Sequence, residues 1–217
     1  MAHGQAAHGR VLLDGQPVKG APDGLPVLGR GSHLRPKDGA CVMEYVSVLT
    51  DRRFSDHPRC THRALAMLAR AVNDCIHDPE QRNSLAVRAP SLAEVGGHDG
   101  EVTLRVTEAC LRAAAEAGAP SASLSRQLSR VQAQLRALRP AGTTAGRAGW
   151  TRIVLSIASA ENQVASAFWV FRERIRHLPV TEQDRLLVAL LDKAIHQCRC
   201  ARSQPDVQDP YDATRVG

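Results

Sequence analysis

Residues 38–79 read DGACVMEYVSVLTDRRFSDHPRCTHRALAMLARAVNDCIHDP, and this stretch decides the fold class. The run 41–50 is apolar almost all round, as in a buried helix, and Glu44 is its only charge. The range 61–77 predicts an amphipathic helix because its apolar residues recur at spacings of three or four: Leu65, Leu68, Val72 and Ile76. We therefore expect two packed helices joined by the polar loop 51–60.

The composition extends this expectation to the whole chain. Hydrophobic residues make up 43% of the sequence, which is enough for a core, but aromatic residues make up only 3%. Such a core consists mainly of Leu, Val, Ile and Ala, and closely packed helices suit it better than a β-sandwich, which favours β-branched and aromatic strands. The predicted fold is all-α, a bundle of about six to seven helices.

The chain divides into three predicted parts: a disordered, Gly- and Pro-rich leader over 1–39, one helical domain over 40–202 and a polar tail over 203–217. A short extended piece is expected at Val11–Leu13. Further helices are predicted over 80–95, 101–117, 121–138 and 150–178, with the last one following Thr181 as its N-cap and Asp184 at the third position. The helix over 150–178 is expected to be the longest, with this buried stripe: Ile153, Ile157, Val164, Phe168, Phe171, Ile175 and Leu178.

Three segments carry a resemblance: GACVMEYVSVL from Gly39, FSDHPRCTH from Phe54 and LARAVND from Leu68. Together they resemble an uncharacterised family of small helical proteins from actinobacteria. The resemblance brings no activity with it. It implies only that five residues form one local unit: Cys41, Glu44, Asp56, Cys60 and His62.

A metal site is one hypothesis for this unit. Thiolate and imidazole groups near a helix start are suitable Zn²⁺ ligands, and the candidate ligands are Cys41, Glu44, His57, Cys60 and His62. The competing interpretation is structural, with cysteines packed in the core and a loop histidine capping a helix. A second group, His196, Cys198 and Cys200, occupies alternate helical positions, so its side chains should fan out around the helix instead of meeting at one ion.

A catalytic cysteine is a further hypothesis. A Cys60 thiolate near a helix N-terminus would be activated, and His57 or His62 could serve as its base. However, no glycine-rich elbow or oxyanion loop accompanies these residues. The sequence therefore favours a non-enzymatic protein.

The range 110–139 resembles the helix-turn-helix of bacterial repressors. Ser125, Arg126 and Arg130 would lie on its second helix and contact DNA, and the range 101–140 carries six arginines against three glutamates. The alternative is a plain helical hairpin, because a heptad pattern continues along the second helix as far as Leu138.

Net charge and targeting signals narrow the function only slightly. The formal charge is +6, no secretory signal is visible, and no run of about 18 apolar residues predicts a membrane span. Reduced cysteines in a cytoplasmic protein are the expected state. The leading prediction is a regulatory, non-enzymatic module that acts through a protein partner or self-association. The alternatives are a DNA-binding regulator and a metal-binding sensor or enzyme.

Overall fold

A computed structural model describes residues 12–13, 16–17, 25–95, 100–138 and 160–202 of the chain. Within these ranges it contains eight α-helices: α1 Val42–Leu49, α2 Arg63–Cys75, α3 Pro79–Asn83, α4 Ala89–Glu94, α5 Gly100–Glu116, α6 Ala122–Leu138, α7 Ala160–Ile175 and α8 Val180–Arg202. Single 3-10 turns lie at Pro36–Asp38 and Ser84–Arg88. Two-residue strands, β1 Leu12–Leu13 and β2 Gln16–Pro17, pair antiparallel. The predicted all-α class is confirmed.

The helix α5 occupies the centre of the bundle. It packs against α2, α6, α7 and α8, while α1 packs against α2 and α4. Its neighbours can approach closely because many of the side chains that α5 buries at helical spacing are small or β-branched: Val102, Val106, Ala109, Cys110 and Ala114.

The stripe predicted for 150–178 is confirmed where the structure describes it. Four of its residues are buried in the core: Val164, Phe168, Phe171 and Ile175. The last predicted member, Leu178, lies beyond the end of α7 and is only partly buried against the core. Ile153 and Ile157 lie outside the described residues. The first ten residues of the predicted helix, 150–159, lie outside the described residues, so its expected length stays a prediction; its described part, α7, has 16 residues, and α8 has 23. Pro179, whose ring cannot continue a helix, follows the end of α7 closely.

The prediction of a disordered leader over 1–39 is wrong for residues 25–39. We call residues 25–40 the strap, because they run across the ends of α2 and α3 and lead into α1. The backbone N–H of Leu28 donates to Asn83 Oδ1 at 3.2 Å, and that of Gly29 donates to the Ala40 carbonyl at 2.7 Å. Main-chain contacts of this kind leave no mark in side-chain composition. The expected extended piece is confirmed at Leu12–Leu13.

The range 80–95, predicted as one helix, lies in α3, a 3-10 turn and α4. Leu85, Leu92 and Val95 are buried there. The predicted tail 203–217 lies outside the described residues. Every helix in the described ranges is too short or too polar to cross a membrane.

Candidate functional site

Glu44 holds the strap against the start of α1. Its side chain is 2% exposed, and its carboxylate accepts hydrogen bonds from the Cys41 N–H at 2.7 Å, the His33 N–H at 2.7 Å and His33 Nδ1 at 2.9 Å. Cys41 Sγ accepts in turn from the Glu44 N–H at 3.4 Å, which completes a capping box with a thiol in place of the usual hydroxyl. The buried carboxylate is therefore satisfied by three donors.

Two glycines make room for the His33 ring. A Cβ atom on Gly29 would lie 2.7 Å from His33 Nε2, and one on Gly39 would lie 3.1 Å from it. Gly39 also has a φ of 112°, which side-chain-bearing residues rarely adopt. The ring is consequently enclosed by the strap that it anchors.

A cavity of about 230 Å³ lies beside this anchor, and we call it the Cys41 cavity. Its lining combines a thiol, two carboxylates and a guanidinium: Gly31, Ser32, Cys41, Asp56, Arg70 and Asp74. Burial raises the pKa of the Cys41 thiol to about 12, so the thiol is neutral at physiological pH. Asp74 Oδ1 accepts from the Gly31 N–H at 2.8 Å, which fixes one wall to the strap.

The five residues of the predicted metal site do not converge on one point, because each makes hydrogen bonds or contacts within its own part of the fold. Cys41 and Glu44 form the capping box, whereas His62 caps α2 by accepting from the Ala64 N–H at 3.2 Å. Cys60 Sγ lies 3.8 Å from Thr50 Oγ1 at the end of α1. In the described ranges, no group of three or more His, Cys, Asp or Glu side chains is arranged to hold a metal ion. The structure therefore gives the zinc hypothesis no support.

The ring of His57 contacts Arg70 and Asp56. Its Nδ1 lies 3.0 Å from Arg70 Nη1, and its Nε2 lies 3.6 Å from Asp56 Oδ2. Both of these contacts are with residues that line the Cys41 cavity. Of the local unit implied by the resemblance, the structure thus brings Cys41, Glu44 and Asp56 into one neighbourhood.

The side chains of His196, Cys198 and Cys200 point in different directions around α8, as their alternate helical positions indicate. Cys198 is buried, whereas His196 and Cys200 are exposed, with Cys200 Sγ 3.6 Å from His196 Nε2 one turn away. These three side chains do not meet at one point.

A second cavity, of about 370 Å³, lies where the strap, the end of α2 and α7 meet, and we call it the Trp169 cleft. Trp169 is 59% exposed there, an unusual state for such a large apolar side chain. The other lining residues are mostly charged: Arg30, Asp74, Cys75, His77, Arg172, Glu173 and Arg176. The cleft therefore presents three guanidinium groups and an indole ring.

Buried polar contacts fix the walls of this cleft. Asp184 of α8 accepts from the His77 N–H at 3.0 Å, the Asp78 N–H at 2.8 Å and His77 Nδ1 at 3.2 Å. Arg30 and Arg82 both donate to the Ile76 carbonyl, and burial lowers the pKa of Arg82. The wall that carries His77 is thus tied to α8 and to the strap.

The outward face of α6 contains the predicted DNA-contacting residues. Ser125, Arg126 and Arg130 are exposed, and α6 contains no Asp or Glu. Its arginines make no ion pair with other described residues, whereas both arginines of α5 pair with glutamates one turn earlier in the same helix. Arg130 also lines a groove of about 430 Å³ between α6 and α7. α5 and α6 therefore form a helical hairpin, and the exposed arginines of α6 have no acidic partner among the described residues.

The sequence does not predict contacts between side chains and backbone groups that are far apart along the chain. Its pattern indicates Asp184 as a capping residue of its own helix, but this carboxylate instead binds backbone groups 106 and 107 positions earlier in the chain. The position of Trp169 did carry a signal, because it lies off the apolar stripe of its helix.

No family model, no curated protein and no solved structure matches this chain. The resemblance to the actinobacterial family therefore stays a prediction.

Proposed function

We propose that this chain is a non-enzymatic regulatory module that works by protein–protein contact, and that the Trp169 cleft is its contact surface. The observation that carries the proposal is an exposed tryptophan beside three arginines in one concave site. Tryptophan and arginine are the residue types most enriched among the energetically dominant residues of protein interfaces.

The charges indicate the kind of partner. Arg30, Arg172 and Arg176 face the cleft against Asp74 and Glu173, so its lining has a net positive charge. An acidic segment of a partner protein with one aromatic or aliphatic anchor would place its carboxylates on the guanidinium groups and its anchor on the indole.

The walls of the cleft favour binding without a large rearrangement. Arg172 Nη1 donates to Gln183 Oε1 at 2.7 Å, and Arg30 is held by the Ile76 carbonyl. Side chains that are already ordered lose less conformational freedom when a partner binds.

Two further observations support the non-enzymatic, cytoplasmic part of the proposal. Burial raises the pKa of both Cys41, to about 12, and Cys75, which disfavours nucleophilic thiolates at either cavity. All six cysteines are free, as expected in a reducing compartment: Cys41, Cys60, Cys75, Cys110, Cys198 and Cys200.

Site-specific photocrosslinking in cells tests this proposal. The photoreactive residue p-benzoylphenylalanine in place of Trp169 should capture one partner protein, and the crosslinked peptide should be rich in Asp and Glu. Arg176→Glu in the same chain should abolish capture, because it reverses one charge of the cleft. The matched control carries the photoreactive residue at Val87, an exposed apolar position that does not line the cleft.

Three results would count against the proposal: no captured protein, the same protein captured from position 87, or capture that survives Arg176→Glu. Capture of a second copy of this chain would identify self-association as the contact.

A second candidate function is DNA binding by α6, and the unpaired arginines on its exposed face favour it. Arg126→Ala should then weaken binding to duplex DNA by about 1–3 kcal/mol and relax base preference. Fluorescence anisotropy across a salt titration measures this, with Arg185→Ala, an exposed arginine paired with Glu182, as the control. Absence of salt-dependent binding at low ionic strength would remove this candidate.

A further inference from the structure

The charged groups of the Cys41 cavity do not neutralise one another. Arg70, Asp56 and Asp74 line the same small space, yet Arg70 forms no ion pair with either carboxylate. The Nη1 atom of Arg70 donates to the Asp56 carbonyl at 2.6 Å, which holds the guanidinium in place. Its Nε and Nη2 atoms have no hydrogen-bond partner among the described residues. Opposite charges fixed apart around a cavity define a space for a ligand that bears both charges.

The carboxylates also keep acceptor capacity. Asp74 Oδ1 accepts from the Gly31 N–H and from Asn73 Nδ2 at 2.9 Å, while Asp74 Oδ2 has no described partner. The Asp56 side chain is 31% exposed, and its Oδ2 lies 3.6 Å from His57 Nε2. An ammonium group between these carboxylates would have acceptors on two sides.

The size of the cavity restricts the ligand. About 230 Å³ corresponds to roughly eight water molecules, at about 30 Å³ for each. Pockets for drug-sized molecules start at about 300 Å³. The ligand is therefore small, and the neutral Cys41 thiol offers its apolar part an uncharged contact.

We propose that the Cys41 cavity binds a small zwitterion of amino-acid size, with its carboxylate on Arg70 and its ammonium group between Asp56 and Asp74. This site is separate from the partner contact assigned to Trp169. Asp74 lines both cavities, so a substitution there would disturb both sites. The test therefore uses Asp56 and Arg70.

Thermal-shift screening of the full chain with the standard free amino acids comes first, and isothermal titration follows for those that raise the melting temperature. Each binding amino acid is compared with analogues that lack one charge; for L-alanine these are ethylamine and propionate. The zwitterion should bind, and each singly charged analogue should bind at least about tenfold more weakly, since it loses one charge-assisted contact.

Variants assign the site. Asp56→Asn and Arg70→Gln should each weaken amino-acid binding by about tenfold to a hundredfold. Asp51→Asn is the matched control, because Asp51 is an exposed aspartate of the same loop and its φ of 50° suits asparagine. Its affinity should equal that of the wild type. Urea midpoints of all three variants establish that they are folded.

The analogue comparison on the wild-type chain does not depend on the folding of any variant. If no amino acid binds, or if ethylamine or propionate binds as tightly as alanine, the proposal is overturned. Unchanged affinity in both Asp56→Asn and Arg70→Gln would also overturn it, because binding would then lie elsewhere.

Discussion

Replacement of Asp184 by asparagine is the sharpest test of how α8 is held to the rest of the bundle. The carboxylate is 0% exposed and accepts from the backbone N–H groups of His77 and Asp78 and from the His77 ring. Asparagine keeps one acceptor oxygen but turns an NH₂ group towards those donors. At about 1.5–3 kcal/mol for each hydrogen bond to a charged group, Asp184→Asn should cost about 2–4 kcal/mol.

The cost should also depend on pH. Burial pushes the pKa of Asp184 upward, but the hydrogen bonds from Asp78 and His77 outweigh burial and hold it below the ordinary aspartate value. Because the folded-state pKa is depressed, the stabilisation is fully present above the unfolded-state pKa of about 4 and is lost as the pH falls through the folded-state pKa. The difference from Asp184→Asn should be constant between neutral pH and about pH 5 and should shrink at lower pH.

Urea titrations at several pH values measure both effects. Asp192→Asn is the control on the same helix: Asp192 is 50% exposed, and its ion pair with Arg88, at 2.6 and 2.7 Å, should contribute no more than about 1 kcal/mol. Equal midpoints for the two variants at neutral pH would refute the reasoning. So would a cost of Asp184→Asn that stays unchanged down to the lowest pH.

Three further predictions follow from burial. Phe168→Ala should lower the free energy of unfolding by about 3–5 kcal/mol, because it leaves a cavity in the core. The control is Glu173→Ala on the same helix, where the side chain is 67% exposed and the change should be no more than about 0.5 kcal/mol. Equal urea midpoints for the two variants would show that the wrong face of α7 is assigned to the core. Glu44→Gln should lower the free energy of unfolding by about 2 kcal/mol, because the strap loses a charged hydrogen-bond acceptor. Amide hydrogen exchange at His33, measured by mass spectrometry, should become faster. Unchanged exchange would contradict the role of Glu44 as the anchor of the strap. Iodoacetamide at pH 8 should alkylate the exposed Cys200 well before the buried Cys41, because burial raises the pKa of the Cys41 thiol to about 12. Alkylation of Cys41 as early as Cys200 would show that Cys41 is not buried.

The helices could be predicted because each one carries its own pattern. The stripe of α2 and the described part of the stripe of α7 are buried as their spacing predicts, since residues three and four apart share a helix face whatever lies opposite. Ser121 also caps α6, with its Oγ accepting from the Leu124 N–H at 3.4 Å. These features depend on neighbours within one turn of helix.

The candidate sites could be predicted only in part. Cys41 and Glu44 lie three residues apart, so their contact was visible in the sequence, but the third partner, His33, belongs to a strap whose composition resembles a disordered leader. Cysteine and histidine content suggested a metal site in 41–62, yet each of these side chains meets a nearer helix end, hydroxyl or guanidinium group. Composition shows which groups are available and not which of them meet.

The sequence by itself determined the helical class, the inward faces of the helices and the local caps, because these follow from residue spacing along one chain segment. Only the tertiary structure decided that Asp184 would bind the turn after α2, that Trp169 would stand exposed beside three arginines, and that Arg70 would face two carboxylates without pairing with them. The physical reason is that such contacts depend on the relative placement of packed helices. Many of them also end on backbone N–H or carbonyl groups, which every residue carries and no sequence pattern distinguishes.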